Sequence, residues 1–409
     1  MRTFHLRSAL LGACLALSLP MIAGAAQPSP QHGAPSLRAA VESAWQRSPL
    51  VQTQHARQDE SSAARENAAS WIAAAPTLGL SQRSDRWTDQ RGERDTEMSL
   101  AASVWLPRQK TARELLASRS IEETEAQLAH ARLAIAGEVR ARMWEAATAS
   151  EVLSEKRDHV HHLEALTEEV LRRVKAGDLA RSDGLLASQE LLAAKNDVFI
   201  AQDALDEALA RFRVLTGYDD LPPLDPEPVG EPQPRNVRIE AARASLQRAQ
   251  ANLAVATASR HPPPTVALSV RRERDSNFTE PNRSIGVAVQ IPLGSQARNR
   301  PVETLAATQL AGAAAEAAQA EASVTAEADV ARRQLTTAQA ALAAATQRAA
   351  AMREHTQLLE TAFKEGERGL AELLRSQALA HEADISVRQR RAQLGQAHSR
   401  LNQALGILP

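Results

Sequence analysis

The chain has 409 residues, of which 3% are aromatic and 24% charged, and its formal net charge is -1. That balance provides no basic footprint for nucleic acid, and the single cysteine, Cys14, excludes an internal disulfide framework or a cysteine-built metal site. Long runs of Ala, Leu, Arg, Glu and Gln point to long helices packed through small side chains rather than to a thick aromatic core.

Residues 1–26 read as an export signal. Arg2 and Arg7 open it, Ser8 to Ile22 form a short apolar stretch broken by Pro20, and Ala23 to Ala26 supply small residues for cleavage. Cys14 follows LGA, but too little apolar sequence precedes it and too much follows for a lipid-attachment site. Beyond Gln27 no apolar run is long enough to cross a membrane as a helix.

From about Leu37 to Ala73 apolar positions fall at helical spacing until Pro76 ends the pattern. Period-two alternation follows: Met98, Leu100, Ala102, Val104 and Leu106 alternate with Ser99, Ala101, Ser103 and Trp105. The segment from Gln109 to about Val174 contains no proline and one glycine, Gly137, so a single helix on the order of 95–100 Å long is predicted. A shorter helix returns from about Leu179 to Thr216, and six prolines between Pro222 and Pro234 form a stiff linker over 221–235. The second half repeats the order. Val266, Leu268 and Val270, then Ile285, Val287, Val289 and Ile291, mark two strands, and about Val302 to Lys364 is again one long helix.

The two halves also share wording. RVKAGDLARSDGLLASQ from Arg173 returns as AFKEGERGLAELLRSQ from Ala362, about 189 residues later. Pro76 matches Pro264, Pro107 matches Pro292, and Gly217 matches Gly406. The expected domains are therefore two structural repeats, 27–220 and 236–409, packed as equivalents. Each carries one strand pair, about 76–107 and about 264–292, with strands of bilayer-crossing length. Four strands cannot close a barrel, because open strand edges are not tolerated in lipid and bacterial barrels start at about eight strands. Gly177 and Gly366 each end a long helix where a left-handed residue must reverse the chain. Asp178 and Glu367 are expected at the start of the returning helices, where the helix dipole favours an acid.

This ordered set, with PTLGLSQR and PPTVALSVR opening strands and SVWLPRQ and VQIPLG closing them, resembles the TolC family of outer-membrane efflux proteins. The resemblance implies a mostly helical protein with a small β part. Three copies would form a twelve-stranded outer-membrane barrel continuing into a periplasmic helical tunnel, the exit duct of a tripartite export machine. Its partners would be outer-membrane lipid, a periplasmic adaptor and an inner-membrane pump of the RND class, with no cofactor. Short length, the absence of a long tail after ALGILP and the phrase RRVKAGDLARSDGLLASQ make the chain most similar to the CzcC-type ducts of heavy-metal pumps. Drug and toxin exporters share the architecture and stay open as alternatives. So does a periplasmic coiled-coil adaptor, although an adaptor brings compact β domains around one helical hairpin.

The resemblance assigns adaptor docking to the two tips, through Gly177, Leu179, Ala180, Arg181 and Ser182 and through Gly366, Gly369, Leu370 and Ala371. It makes Asp183 and Glu372 candidates for a periplasmic gate that threefold symmetry would turn into a cation-attracting ring. Arg368 is the candidate inter-helix partner holding it shut. His159, His161 and His162 are read as polar helix surface, since only His159 and His162 share a face. Trp105 and Trp87 lie near strand ends, where interfacial aromatics anchor barrels. A phosphate loop, HExxH and a nucleophile elbow are all missing, so no enzyme is expected.

Overall fold

The computed structural model describes residues 34–231, 235–276 and 278–409; the export-signal reading of 1–26 and Cys14 lies outside them. Eleven elements follow one another: α1 (Leu37–Arg47), α2 (Pro49–Ala69), β1 (Thr77–Ser84), β2 (Arg94–Ser103), α3 (Pro107–Ala176), α4 (Arg181–Thr216), α5 (Val237–Ala258), β3 (Thr265–Arg274), β4 (Asn282–Gln290), α6 (Gln296–Lys364) and α7 (Leu370–Ala404). Helices predominate and the strands form one sheet. No described helix is long and apolar enough to cross a membrane.

Two helices set the length. α3 has 70 residues and α6 has 69, so each runs for about 105 Å at the usual rise. α3 begins at Pro107, whose fixed φ suits the first helical position. Pro301 lies inside α6, in its second turn, where the missing N–H removes one hydrogen bond near the helix start. Toward the sheet, α2 packs on α3, and α5 lies between α3 and α6. Toward the opposite end, α4 returns along α3 and α7 along α6, and α3 packs on α7. The seams are built largely of alanine, including Ala136, Ala146, Ala147, Ala187 and Ala349, all at most 1% exposed. Small side chains let the helix axes approach over a long distance without a bulky core.

Two of the expected elements differ from the sequence reading. The single helix expected over Leu37–Ala73 is two helices broken at Ser48 and ends at Ala69. Ser48 precedes Pro49 and is held in extended backbone at ψ 134°, while its hydroxyl caps α2 at the N–H of Leu50. β2 stops at Ser103, because Val104 makes only an isolated bridge to Ile72 and Leu106 already caps α3. The stiff linker is also anchored: Pro222 is fully buried, and Glu227 is bound by Arg140 of α3 and by Ser399 and Asn402 of α7.

The sheet order is β1-β2-β3-β4, antiparallel throughout. β1 pairs with β2 and β3 with β4 as hairpins, and β2 joins β3 across the two halves of the chain. β1 and β4 each keep one unpaired edge.

Candidate functional site

Period-two alternation and register together give the sheet two chemically distinct faces. On one face Leu80, Met98, Val270 and Ile285 form a continuous rung. Leu78, Leu100, Leu268 and Val287 form the next, and Ala102, Val266 and Val289 the third. All but Ala102 are exposed, from 42% for Val266 to 77% for Leu80 and Ile285. Ile72 and Ile291 continue the band toward the helices, 44% and 68% exposed. The band is then about 20 Å tall at two residues per rung. The other face carries Gly79, Ser81, Ser99, Ser269, Ser284 and Gly286, and there Arg271 is bidentate to Asp95 at 2.9 and 2.8 Å.

Aromatic residues mark the helix-side rim. Trp105 N–H donates to the Trp71 carbonyl at 2.9 Å, the Arg113 guanidinium lies 3.8 Å from the Trp105 ring centroid, and the Lys110 ammonium 5.1 Å from that of Trp71. Trp71, 54% exposed, was not singled out in the sequence, because it falls in the segment expected to be helical. Trp87 stands at the other end, in the β1–β2 loop, 88% exposed.

The opposite end of the molecule holds the two tips. Gly177 and Gly366 adopt φ of +88° and +79°. The following N–H groups close matching turns, Asp178 to the Arg173 carbonyl and Glu367 to the Ala362 carbonyl, both at 2.9 Å. Asp178 and Glu367 thus finish the turns rather than open the returning helices. The acids in the first turns of α4 and α7 are Asp183 and Glu372, where they offset N-termini whose capping residues, Ala180 and Gly369, provide no side-chain bond.

Of the residues proposed for docking, Ala180, Arg181, Ser182, Gly177, Gly366, Gly369 and Ala371 are exposed. Leu370 is not: at 3% exposure it packs with Leu373, Phe363 and Val170 in a core that joins both tips, and Leu179 lies partly buried against it. The apolar side chain following Gly369 is drawn inward because α7 packs against both α3 and α6. Arg368 also departs from expectation. It pairs with Glu372 at 3.2 Å within its own turn of chain, both side chains about half exposed, and so links no second helix.

Between tip and sheet lies a cluster that sequence spacing did not reveal. His159 stacks on His381 of α7, ring centroids 4.0 Å apart and 8° from parallel, rather than cooperating with His162. His381 Nδ1 meets Glu155 at 3.3 Å, and Arg388 binds the same carboxylate at 2.7 Å. Burial, with His381, Lys156 and His162 nearby, pushes His159 down to about 4. Glu155, His159, His162 and His381 line a cleft of about 600 Å³ between α3, α6 and α7. Parallel rings do not converge on one ion, and among the described residues no group of three His, Cys, Asp or Glu is placed to hold a metal.

A second buried cluster fastens the linker. Arg140, its side chain 3% exposed, holds Glu227 at 3.0 and 2.6 Å and also donates to Gln403 and to the Ile407 carbonyl. Ser399 and Asn402 donate to the same carboxylate. Burial alone would raise Glu227, but Arg140, Ser399 and Asn402 hold it below its ordinary value. Trp144 completes the joint: its indole N–H donates to Ser399 at 2.9 Å, and its ring lies over Gly395, where a Cβ would come within 2.0 Å of it. A lone glycine inside a helical pattern was the available signal for that close approach.

No curated protein matches the sequence as a whole. The fold does have relatives among solved structures. A membrane protein from Pseudomonas aeruginosa superposes with a TM-score of 0.75 at 20% identity, covering 90% of this chain and 93% of that one. The outer membrane protein VceC of Vibrio cholerae gives 0.73 at 17%, covering 90% and 96%. The open-state MtrE outer membrane channel of Neisseria gonorrhoeae gives 0.71 at 17%, covering 91% and 89%. Residues 231–407 match the family model described as outer membrane efflux protein, and over 90% of its length the chain has the fold of bacterial outer-membrane channels.

Proposed function

We propose that this chain is one protomer of a passive outer-membrane exit duct. Three copies would close a twelve-stranded barrel and extend it into a periplasmic helical tunnel. The observation that carries this reading is the sheet, which has one continuous apolar face, one polar face and two unpaired edges. An isolated four-stranded sheet would leave those edges unsatisfied in lipid, and closure with neighbouring copies removes them. The choice of three copies rests on the resemblance to TolC-type ducts. So does the pairing of the tips with a periplasmic adaptor and an RND pump, and the treatment of 27–220 and 236–409 as copies of one unit.

Heavy-metal cations are the proposed cargo, supported by the similarity of RRVKAGDLARSDGLLASQ to the ducts of metal pumps. Pump energy would be supplied elsewhere, and the duct need not bind its cargo tightly, because tight binding slows passage. Native mass of the detergent-extracted protein tests the assembly: a trimer from the outer-membrane fraction is expected, and a soluble periplasmic monomer would overturn it. Growth of a strain lacking the protein tests the cargo. Sensitivity to zinc, cadmium, cobalt, copper or silver salts, restored by the intact gene, is expected; sensitivity to drugs and dyes with normal metal tolerance would replace metal export by multidrug export.

A further inference from the structure

The two faces of the sheet treat charge differently beyond the apolar band. One rung past Leu80, Met98, Val270 and Ile285, the same face carries Gln82, Thr96, Arg272 and Arg283. One rung further it carries Ser84, Arg94 and Arg274. Arg272 is directly opposite Arg283 and Arg94 directly opposite Arg274. Like charges in facing positions destabilise a sheet. All three strand acids, Asp95, Glu97 and Glu273, lie on the opposite face, where Asp95 and Glu273 bind Arg271. Loop acids Asp85, Asp89, Glu93, Asp275 and Glu280 follow in the hairpin connections, yet among the described residues none of the sheet's acids or these forms an ion pair with Arg94, Arg272 or Arg283. Those three arginines are exposed, whereas Arg274 is tied to its loop through the carbonyls of Ser276 and Thr279 at 3.0 and 3.1 Å.

We propose that Arg94, Arg272 and Arg283 clamp the phosphate groups of anionic lipids at the headgroup boundary on the side away from the helices. This rests on the duct reading, in which the apolar face meets lipid. The height fits, because the arginine rungs begin about 7 Å beyond the last apolar rung, where acyl chains give way to headgroups. The chemistry fits as well: a guanidinium fork matches phosphate oxygens, and a bridging phosphate converts the facing Arg272–Arg283 pair into a stabilising one. The occupant is a phosphate-bearing lipid rather than free phosphate, since the arginines are continuous with the apolar rungs that would hold its chains.

Full-length protein in detergent, titrated with bisphosphorylated lipid A and read by native mass spectrometry, tests this. Dephosphorylated lipid A, phosphatidylcholine and inorganic phosphate are the comparison probes. Wild type is expected to prefer the phosphorylated lipid. Arg272→Gln with Arg283→Gln should weaken that binding about thirty-fold, and Arg283→Gln alone about fivefold, at the usual strength of one surface arginine toward an anionic membrane. Arg83→Gln, on the polar face, should leave it unchanged, and an unaltered circular-dichroism melt identifies folded variants. Equal binding by wild type and the double variant overturns the clamp, as does displacement by equimolar inorganic phosphate. Flotation with phosphatidylcholine vesicles separates the two readings. Wild type that floats but shows no phosphate preference removes the clamp alone, and wild type that does not float removes the duct and the clamp together.

Discussion

At the middle of the helical body Arg140 is 3% exposed and bound to Glu227, Gln403 and the Ile407 carbonyl, whereas at the tip Arg368 is 56% exposed and bound only to Glu372, four residues away. Both are arginine–carboxylate pairs, yet they do different work. The first ties three distant stretches of chain, α3, the linker and the end of α7, in a place where neither charge can return to water. The second steadies one turn. Exposed pairs of this kind contribute little to stability, so the tips are held mainly by the small core around Leu373 and Phe363. Under the duct reading, that division would give a fixed waist and an end able to rearrange.

The strongest way to break the comparison is Arg140→Ala. Removing one partner of a buried pair costs about 3–5 kcal/mol, and here it also strands the Glu227 carboxylate among Ser399 and Asn402. Urea unfolding of the detergent-solubilised protein should show that loss. Adding Glu227→Gln should recover part of it, because an amide still accepts from Ser399 without carrying a charge. A cost below that of an exposed pair would mean the waist is not held by this contact.

An intermediate effect is expected from acid. His159 is pushed down to about 4 in the folded protein from an ordinary 6.5, so the unfolded chain binds the extra proton first. Its contribution is present above about pH 6.5 and is lost progressively as pH falls toward 4. His130, lowered by burial and by Arg238, adds to the same window. Glu227, held below its ordinary 4.5, acts at the acid end, since its stabilisation starts to fall near pH 4.5 and disappears as the carboxylate is protonated in the folded protein. Thermal melts from pH 7 to pH 4 should show the loss begin near pH 6.5, and His159→Gln should flatten the upper part of that window. An unchanged profile in the variant would detach the stacked His159–His381 pair from acid sensitivity.

The smallest stability effect belongs to the tip. Glu372→Ala removes an exposed pair and a first-turn acid, about 1 kcal/mol or less. Under the duct reading it should nevertheless reduce cation preference in a planar bilayer, because threefold symmetry multiplies each carboxylate at the constriction. Unchanged selectivity would remove Glu372 from the gate.

What could be read in advance followed from local rules. The absence of proline over long stretches announced α3 and α6, and Gly177 and Gly366 announced the reversals. Alternation along Met98–Ala102 and Val266–Val270 announced a sheet with one apolar face. The break at Ser48 was also written locally, in a residue preceding proline, but helical spacing across it masked the signal. The burial of Leu370 could not be read, because its position beside a tip turn says nothing about which way α7 leans. The partners of His159 and Glu227 could not be read at all.

By itself, then, the sequence determined lengths, reversals and faces, since these depend on φ restrictions and on the 3.6- and 2-residue periods, which act over a few neighbours. Tertiary structure alone decided that His381 covers His159, that Arg140 reaches Glu227, that Trp144 lies on Gly395, and that Arg272 stands directly opposite Arg283. Those contacts join residues separated by tens to hundreds of positions, and they exist only once long helices have docked and strands have chosen their register.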